Sequence, residues 1–180
     1  MSRIQLMEPA GEYAEDIRAF RQEILDHDAA NEDQFAGCLS LDCCETPDEW
    51  IRICRLRKHA ATCRQSGTEV PSHVFLAVRE EDKRIVGIID LRHHIDHPIL
   101  GTWGGHSGYS VRPSERGKGY ATQMLRLNME KANKMGIEKL LVTCNEKNLA
   151  SERVIMKCGG VYENTLTVED SRIKRYWIML

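Results

Sequence analysis

The sequence contains no apolar run near the ~20 residues that a membrane-spanning helix needs, so a membrane-embedded protein is excluded. It also lacks an excess of charge, because 25 basic and 27 acidic side chains give a net charge of −2. That balance argues against nucleic acid as a partner. The start lacks the basic and then apolar pattern of a signal peptide. We therefore expect a soluble globular protein that binds neither membranes nor nucleic acid.

Cysteine is present, but without the pattern of a disulfide framework. The seven cysteines are an odd number, and Cys43 and Cys44 are adjacent. We expect free thiols in a reducing cytoplasm. No repeat, low-complexity tract or linker divides the chain, so residues 1–180 are predicted to form one domain.

Apolar periodicity predicts alternating strands and helices, and thus a mixed α/β fold. A strand at 3–7 and an amphipathic helix precede a polar surface loop over 26–44. Thr46 and Glu49 form the capping box of a second helix, which carries Ala61 on its inner face and ends near Gly67. Further predicted elements are strands at 74–78, 85–89 and 106–111, a helix at 117–135, a strand at 139–144, a helix at 148–158, and strands at 161–166 and 174–180.

Two glycines stand where the strand at 106–111 turns into the next helix. Gly117 and Gly119 allow successive N–H groups to point into one concavity, and the first helical turn adds unpaired donors. With Arg116 and Lys118 beside them, these donors suit a pyrophosphate; the alternative is a merely structural tight turn. The spacing is neither that of Walker A nor that of the dinucleotide-binding Gly-x-Gly-x-x-Gly.

The run Arg116-Gly-Lys-Gly-Tyr-Ala121 resembles the Arg/Gln-x-x-Gly-x-Gly/Ala signature of the GNAT superfamily of N-acetyltransferases. Runs 143–151 and 157–159 resemble that family's next motif, and run 106–116 resembles a bacterial subgroup of predicted acetyltransferases. The resemblance implies a mixed, mostly antiparallel sheet of six to seven strands. It also implies that this sheet is splayed at its centre and flanked by about four helices.

The same resemblance implies acetyl-coenzyme A as the co-substrate and assigns binding roles. Tyr109 and Val111 would pair their backbone with the pantetheine arm, and the Val111 N–H would donate to the thioester carbonyl. Asn145 and Asn148 would contact coenzyme A from the opposite side, although Asn148 is equally suited to cap a helix. The pyrophosphate contacts, mostly through backbone N–H groups, would come from Arg116, Gly117, Lys118, Gly119, Tyr120 and Ala121.

One departure from the family concerns the general acid. Many members carry a tyrosine seven positions after the asparagine that matches Asn148, and this sequence has Ile155 there. Ser151 lies too early in the helix to be an obvious substitute. Either Tyr162 or Tyr176 takes the role, or the thiolate leaves unaided.

Transfer to an amine also requires a group that accepts a proton. His106 is the first choice because its strand leads to Val111, and His93 is the second; a packing role is the alternative for either. Arg92 is suited to anchor a substrate carboxylate or to end a strand in solvent. The remaining candidates for the base are His94, His97, Glu80 and Glu81.

The histidines at 93, 94 and 97 do not predict a metal site. A strand projects His93 and His94 to opposite faces, so they cannot bind one ion together. The cysteines of the loop 26–44 lack a matching second pair. We therefore expect no metal.

These observations predict an acetyl-coenzyme A–dependent N-acetyltransferase. Its acceptor is predicted to be the primary amine of a small molecule, such as an amino acid, which attacks the thioester directly. The loop 26–44 is expected to cover the acceptor cleft, which favours a small acceptor. The alternatives are a protein or peptide N-acetyltransferase and a non-catalytic sensor of acyl-coenzyme A. The sequence does not determine the acceptor, the acyl chain or the oligomeric state. A homodimer is one option for the last.

Overall fold

A computed structural model describes residues 2–28 and 34–180 of the chain, and its strands form two sheets. The first sheet runs in the order β1 (Ile4–Met7), β2 (Ser72–Arg79), β3 (Ile85–Arg92) and β4 (Tyr109–Val111). The second contains β5 (Lys139–Asn145), β6 (Val161–Val168) and β7 (Ser171–Met179), with β7 in the middle. All pairs within the sheets are antiparallel. The predicted mixed α/β fold is confirmed.

Four α-helices cover the sheets: α1 (Ala14–Asp28), α2 (Pro47–Arg57), α3 (Tyr120–Lys134) and α4 (Leu149–Lys157). The helices α1 and α2 pack on one face of the first sheet, around Phe20 and Trp50. The other two pack on the opposite face, where Met124 and Ile155 join a core that extends to Tyr176 of the second sheet. In the described ranges, no helix is long and apolar enough to cross a membrane.

The two sheets separate between β4 and β5. In the described part of the chain, a single parallel bridge between Ser107 and Val142 joins them. The His106 N–H donates to the Leu141 carbonyl at 2.8 Å, while the His106 carbonyl accepts from Arg92 of β3, also at 2.8 Å. We call the space beyond this bridge, between β4 and β5, the central gap. The predicted strand at 106–111 begins three residues too early, because the Gly108 N–H bonds to the Asp90 side chain and regular pairing with β3 starts at Tyr109.

The surface loop predicted over 26–44 is wrong in its described part. Helix α1 continues to Asp28, and segment 34–44 buries Cys38 and Leu41 against α1 and α2. Gly37 has a φ of +73° and packs tightly on Gly108. A Cβ on Gly37 would lie 2.0 Å from the Gly108 carbonyl oxygen. The polar composition of this segment did not reveal its burial, because a few apolar side chains among many polar ones suffice to bury it. Residues 29–33 lie outside the described residues.

The second helix is shorter than predicted. It ends at Arg57, Ala61 is exposed, and Gly67 instead ends a separate 3₁₀ turn at Cys63–Ser66. Thr46 caps the helix as expected, accepting the Glu49 N–H at 3.2 Å. The Glu49 carboxylate, however, accepts from the N–H of Glu45 at 2.9 Å rather than from that of Thr46. A π-helical turn at Leu100–Gly104 was not predicted.

Three acids of α1 hold the chain that leaves β4. Asp28 accepts from Nη1 of Arg116 at 2.8 Å, and Glu23 accepts from the Ser114 N–H at 2.7 Å. The innermost pair joins Asp16 to Arg112 at 2.5 Å, with the buried guanidinium 5.6 Å from the centre of the Phe20 ring. Helix α1 therefore fixes the path of residues 112–116 by charge as well as by packing.

We expect Arg112→Leu to lower the free energy of unfolding by about 3–5 kcal/mol, because it leaves acids of α1 partly buried without their partner. Urea denaturation followed by tryptophan fluorescence measures the loss. The control is Arg18→Leu, which removes an exposed pair with Glu15 at 2.7 Å and should cost about 0–1 kcal/mol. Equal losses in the two variants would contradict the role given to Arg112.

Candidate active site

The backbone of β4 turns one edge to β3 and the other to the central gap. The Gly108 carbonyl accepts from β3 at 3.1 Å, and the Arg112 N–H donates to β3 at 2.9 Å. Because bonding direction alternates along an antiparallel strand, the N–H and C=O groups of Tyr109 and Val111 point away from β3. Both residues therefore turn their main-chain groups to the gap side of β4, where the Val111 carbonyl accepts from Nε of Arg116 at 3.1 Å.

The turn from β4 into α3 forms an open concavity of backbone donors. Its two glycines have left-handed backbone angles, with φ of +75° at Gly117 and +82° at Gly119. No atom lies within 4 Å of where a Cβ on Gly117 would stand. Gly119 caps α3 without a side-chain hydrogen bond, so the N–H groups of the first turn remain available. This open, donor-lined turn fits phosphate groups.

The two cationic side chains of this turn are paired with carboxylates. Besides Asp28, Arg116 donates through Nε to the Val111 carbonyl at 3.1 Å. Lys118 donates to the buried carboxylate of Glu115 at 2.9 Å. Hydrogen bonds from Arg116 lower the pKa of Asp28, so this acid holds the guanidinium at neutral pH. The charge expected to face a pyrophosphate is thus balanced by acids of the chain itself.

The last two residues of the predicted binding run turn their side chains elsewhere. The Tyr120 ring is buried in the core, and its hydroxyl accepts from Arg79 at 3.3 Å. Ala121 is half-buried. Only their main-chain N–H groups lie at the turn.

Two asparagines shape the loop between β5 and α4. The Asn148 side chain caps α4 by accepting the Ser151 N–H at 3.0 Å, and Asn145 accepts the Lys147 N–H at 2.9 Å. The Ser151 hydroxyl lies 2.7 Å from the hydroxyl of Tyr109. Burial raises the pKa of Tyr109, so its phenol stays protonated at neutral pH. A pair of hydroxyl groups thus links α4 to β4.

The tyrosines considered for the general acid lie on the α4 side of the second sheet. Tyr176 is buried and donates to Glu152 at 2.5 Å, and the Tyr162 hydroxyl is 2.8 Å from that of Thr165. Ile155 is buried in the core. The structure therefore places the Ser151 hydroxyl, and neither tyrosine, in contact with a residue of β4.

His106 lies at the closed end of the central gap. Its Nδ1 accepts the Leu141 N–H at 2.9 Å, so in the neutral ring Nε2 carries the hydrogen. Burial lowers the pKa of His106 to about 4, and the charge of Arg92 adds to the effect. The lone pair of this imidazole is therefore committed to a backbone hydrogen bond.

His93 pairs with a histidine that the sequence analysis passed over. Its Nε2 lies 2.8 Å from Nδ1 of His73, and the two rings stack with centres 4.9 Å apart. Burial lowers the pKa of both histidines, that of His73 to about 4.

Two other candidates for the base, Glu80 and Glu81, bond to other side chains at the exposed β2–β3 turn. Among the described residues, no group of three or more histidine, cysteine or acidic side chains is placed to hold a metal ion.

Arg92 is bonded within the protein. Its Nη2 pairs with Asp90 at 3.0 Å, and its Nη1 donates to the carbonyls of Gly104 and Gly105 at 2.7 and 3.1 Å. Its side chain is largely covered, in contrast to the solvated strand end considered from the sequence. These contacts give Arg92 a structural role at the start of β4.

Several residues at the site escaped the sequence analysis because their partners are far away along the chain. Asp28 and Asp90 gave no local signal that distinguishes them from surface acids. Ser151 stood within a recognised run, and its position three residues after Asn148 was the available clue. The π-helical turn gave no such clue, since the side chains that anchor its carbonyl groups come from three different strands.

The comparison with known families decides what this arrangement is. The family described as acetyltransferase (GNAT) domain matches residues 13–161. The chain belongs to the GNAT acetyltransferase family. The resemblance expected from residues 116–121 is confirmed, and no curated protein sequence matches this acetyltransferase.

Solved acetyltransferases share its fold at low sequence identity. RimL, a ribosomal-protein α-N-acetyltransferase in complex with coenzyme A, is 17% identical over 100% of this chain and 96% of its own, with a TM-score of 0.67. MccE, a microcin self-immunity acetyltransferase with acetyl-CoA and AMP, is 15% identical over 100% and 94%, with a TM-score of 0.67. A chimera of the spermidine N-acetyltransferase SpeG from Vibrio cholerae and hSSAT is 17% identical over 99% and 96%, with a TM-score of 0.65. These likenesses show the fold alone.

We expect the acetyltransferase to lose stability as the pH falls from about 6.5 to about 4, in part through His106. Its pKa is about 4 in the fold against 6.5 for an ordinary histidine, so the unfolded chain binds more protons in this window. His106→Asn keeps an acceptor for the Leu141 N–H and removes the titration. Its free energy of unfolding should fall less than that of the wild type between about pH 7 and about pH 5.

The matched control is the same substitution at the exposed His27. The pH dependence of unfolding should stay that of the wild type in His27→Asn. If His106→Asn also kept the wild-type dependence, the burial of a neutral His106 would be refuted.

Proposed function

We propose that this acetyltransferase transfers an acetyl group from acetyl-coenzyme A to the primary amine of a small molecule, such as an amino acid. The observation that carries the proposal is the direction of the β4 main chain. Tyr109 turns its N–H and C=O groups, and Val111 its N–H group, to the central gap, a few residues before the donor-lined turn at Gly117 and Gly119. One ligand with both an amide-containing arm and a pyrophosphate satisfies the two features together.

In this proposal the turn into α3 binds the pyrophosphate through main-chain N–H groups of residues 117–121, since the Arg116 N–H donates to the Pro113 carbonyl at 3.2 Å. Their geometry does not depend on the charge of Arg116 or Lys118, which the acids of the chain already balance. The edge of β4 receives the pantetheine arm as an added strand would be received. Asn145 and Asn148 lie on the β5 side of the gap, and we propose that they contact coenzyme A there.

The amine nitrogen attacks the carbonyl carbon of the thioester, and the carbon–sulfur bond then breaks. The Val111 N–H is the proposed donor to the oxygen on which negative charge develops. The leaving thiolate takes a proton from solvent, and we propose that the Ser151 hydroxyl, backed by Tyr109, relays it and is reprotonated as it does so. This assignment replaces Tyr162 and Tyr176, because the Ser151 hydroxyl contacts β4 and the two tyrosine hydroxyls do not.

His106 is the proposed acceptor of the amine's proton, with His93 as the second choice. Protonation of His106 at Nδ1 requires it to give up the Leu141 N–H, and burial together with the charge of Arg92 makes the ring a weak base. The ring is neutral at physiological pH, and in this proposal Nδ1 takes the proton once it releases the Leu141 N–H. Arg92 is proposed only to support this end of the gap.

The choice of a small acceptor is supported by segment 34–36, which Ser110 holds beside the gap, and not by the neighbours. RimL is named for a ribosomal protein and SpeG for spermidine, so related folds serve both kinds of amine. A peptide acceptor is the second candidate, and a non-catalytic sensor is the third. The chain is proposed to act as one domain over 1–180 in the cytoplasm, without a metal.

A thiol-release assay tests the function. The protein is mixed with acetyl-coenzyme A and a panel of small primary amines and short peptides, and free coenzyme A is measured. Turnover on small amines supports the proposal, and turnover on peptides alone supports the second candidate. Tight binding of acetyl-coenzyme A without turnover on any amine would support the third candidate, a non-catalytic sensor.

We expect Gly117→Asp to lower the affinity for coenzyme A by more than about tenfold, because its carboxylate enters the concavity and repels the pyrophosphate. Isothermal titration calorimetry measures the change. Gly136→Asp is the control, since Gly136 lies beyond the other end of α3 with a φ of +78° and equally open surroundings. A folded Gly117→Asp protein with the affinity of Gly136→Asp would remove the binding turn from the proposal.

We expect His106→Asn to lower kcat by about 10²–10⁴-fold with little change in the affinity for coenzyme A, since a general base contributes that much. The acidic limb of the pH–rate profile should also be lost. The asparagine preserves the bond to Leu141, so a change in rate does not report a distorted strand. If His106→Asn has the rate and pH profile of the wild type, His106 does not accept the proton. A slow His93→Asn variant would then assign the proton to His93, and a fast one would assign it to water.

A further inference from the structure

The π-helical turn Leu100–Gly104 is anchored by its main chain to an unusual degree. Five consecutive carbonyl groups, from residue 101 to residue 105, accept hydrogen bonds from side chains of three different strands. The donors are Arg175 of β7 for Gly101 and Thr102, Thr143 of β5 for Trp103, and Arg92 of β3 for Gly104 and Gly105. The anchors reach across the central gap from the first sheet to the second.

This turn lies on the face of the second sheet that α4 leaves open. Val142 and Cys144 of β5 face the core under α4, so the alternation of side chains places Thr143 on the opposite face. Thr143 donates to the Trp103 carbonyl at 2.6 Å. The main chain of Trp103 is therefore held beside Thr143, which is the first residue of β5 after the bridge at Val142.

A second anchored segment borders the gap on the β4 side of the same face. The Ser110 hydroxyl is 2.9 Å from the carbonyl of Ala36 and 3.2 Å from that of Gln34. The side chain of Tyr109 points to α4, so Ser110 faces the other way. On the face away from α3 and α4, segment 34–36 and the π-helical turn thus stand on either side of the gap.

The turn presents apolar side chains to solvent in spite of its rigid backbone. Trp103 is 40% exposed and Ile99, at its start, is 45% exposed. The cations that anchor the turn are paired, Arg175 with Glu163 at 2.8 Å and Arg92 with Asp90 at 3.0 Å. In the described part of this border, the anchors therefore add no unbalanced charge to an apolar surface.

We propose that Trp103, with Ile99, determines acceptor specificity by binding an uncharged, apolar substituent of the amine. The inference rests on the proposed function. An amine that attacks a thioester in the gap must extend its substituent to the open face, because α3 and α4 cover the other. Trp103 stands at that exit on a backbone held in place before binding, so little ordering cost opposes the contact. It is a specificity-determining residue and takes no part in proton transfer.

The test compares acceptors that differ only in an apolar group, beginning with glycinamide and phenylalaninamide. We expect Trp103→Ala to lower kcat/KM for phenylalaninamide by about tenfold, chiefly through KM, and to leave glycinamide unchanged. Trp103→Phe should restore most of the difference. Ile99→Ser, a second variant on the same surface, should shift the selectivity in the same direction.

The control is Tyr162→Ala, which removes a 53% exposed aromatic ring from the α4 side of the second sheet. It should leave both acceptors unchanged, and calorimetry should show wild-type affinity for coenzyme A in every variant. Equal losses for the two acceptors in Trp103→Ala, or unchanged selectivity in both Trp103→Ala and Ile99→Ser, would overturn the inference alone. A wild-type protein that acetylates no primary amine would overturn the proposed function and the inference with it.

Discussion

The buried carboxylate of Asp90 joins β3 to the chain just before β4, next to the point where the two sheets separate. Its Oδ1 accepts the Gly108 N–H at 2.6 Å, in the place of the backbone carbonyl that a regular ladder would use. That carbonyl instead accepts from Ser107 at 2.8 Å and from Asn128 of α3 at 3.0 Å. Burial raises the pKa of Asp90, and the guanidinium of Arg92 opposes the rise. The β3–β4 ladder is therefore irregular at Gly108, directly after Ser107, whose bridge to Val142 closes the central gap.

The other end of β4 is held by charge from α1. Arg112 follows the strand directly, and its bond to Asp16 sets the exit of the chain toward the turn at Gly117. Because both ends of a three-residue strand are fixed, the strand cannot slip by one residue. A slip would exchange the inward and outward main-chain groups of Tyr109 and Val111. Two acids at opposite ends thus preserve the direction of the groups on which the acyl transfer is proposed to depend.

Local patterns in the sequence predicted most of the elements and the turn that defines the family. Periodicity located the strands and helices, and two glycines beside Arg116 and Lys118 marked the proposed binding turn, because such signals lie within a few residues of one another. The errors came from long-range contacts. Helix propensity in the run after Arg57 did not reveal that Ala61 lacks a core to face, and the polar composition of 34–44 hid the burial of Cys38 and Leu41. The partners of His106, Arg92 and Ser151 depend on how the two sheets meet, which no single segment specifies.

The anchoring of the π-helical turn through carbonyl groups has a consequence for how this fold changes over time. A carbonyl is common to every amino acid, so Arg175 and Thr143 can hold residues 102 and 103 in place whatever side chains they carry. Glycine at 105 is less free, because a Cβ there would lie 2.6 Å from the Leu141 carbonyl oxygen. Descendants of such a chain can therefore exchange the side chains at the exit of the gap while its backbone, and the stability that the anchors provide, are retained. If Trp103 acts as proposed, acceptor preference can drift in this way without a change of scaffold.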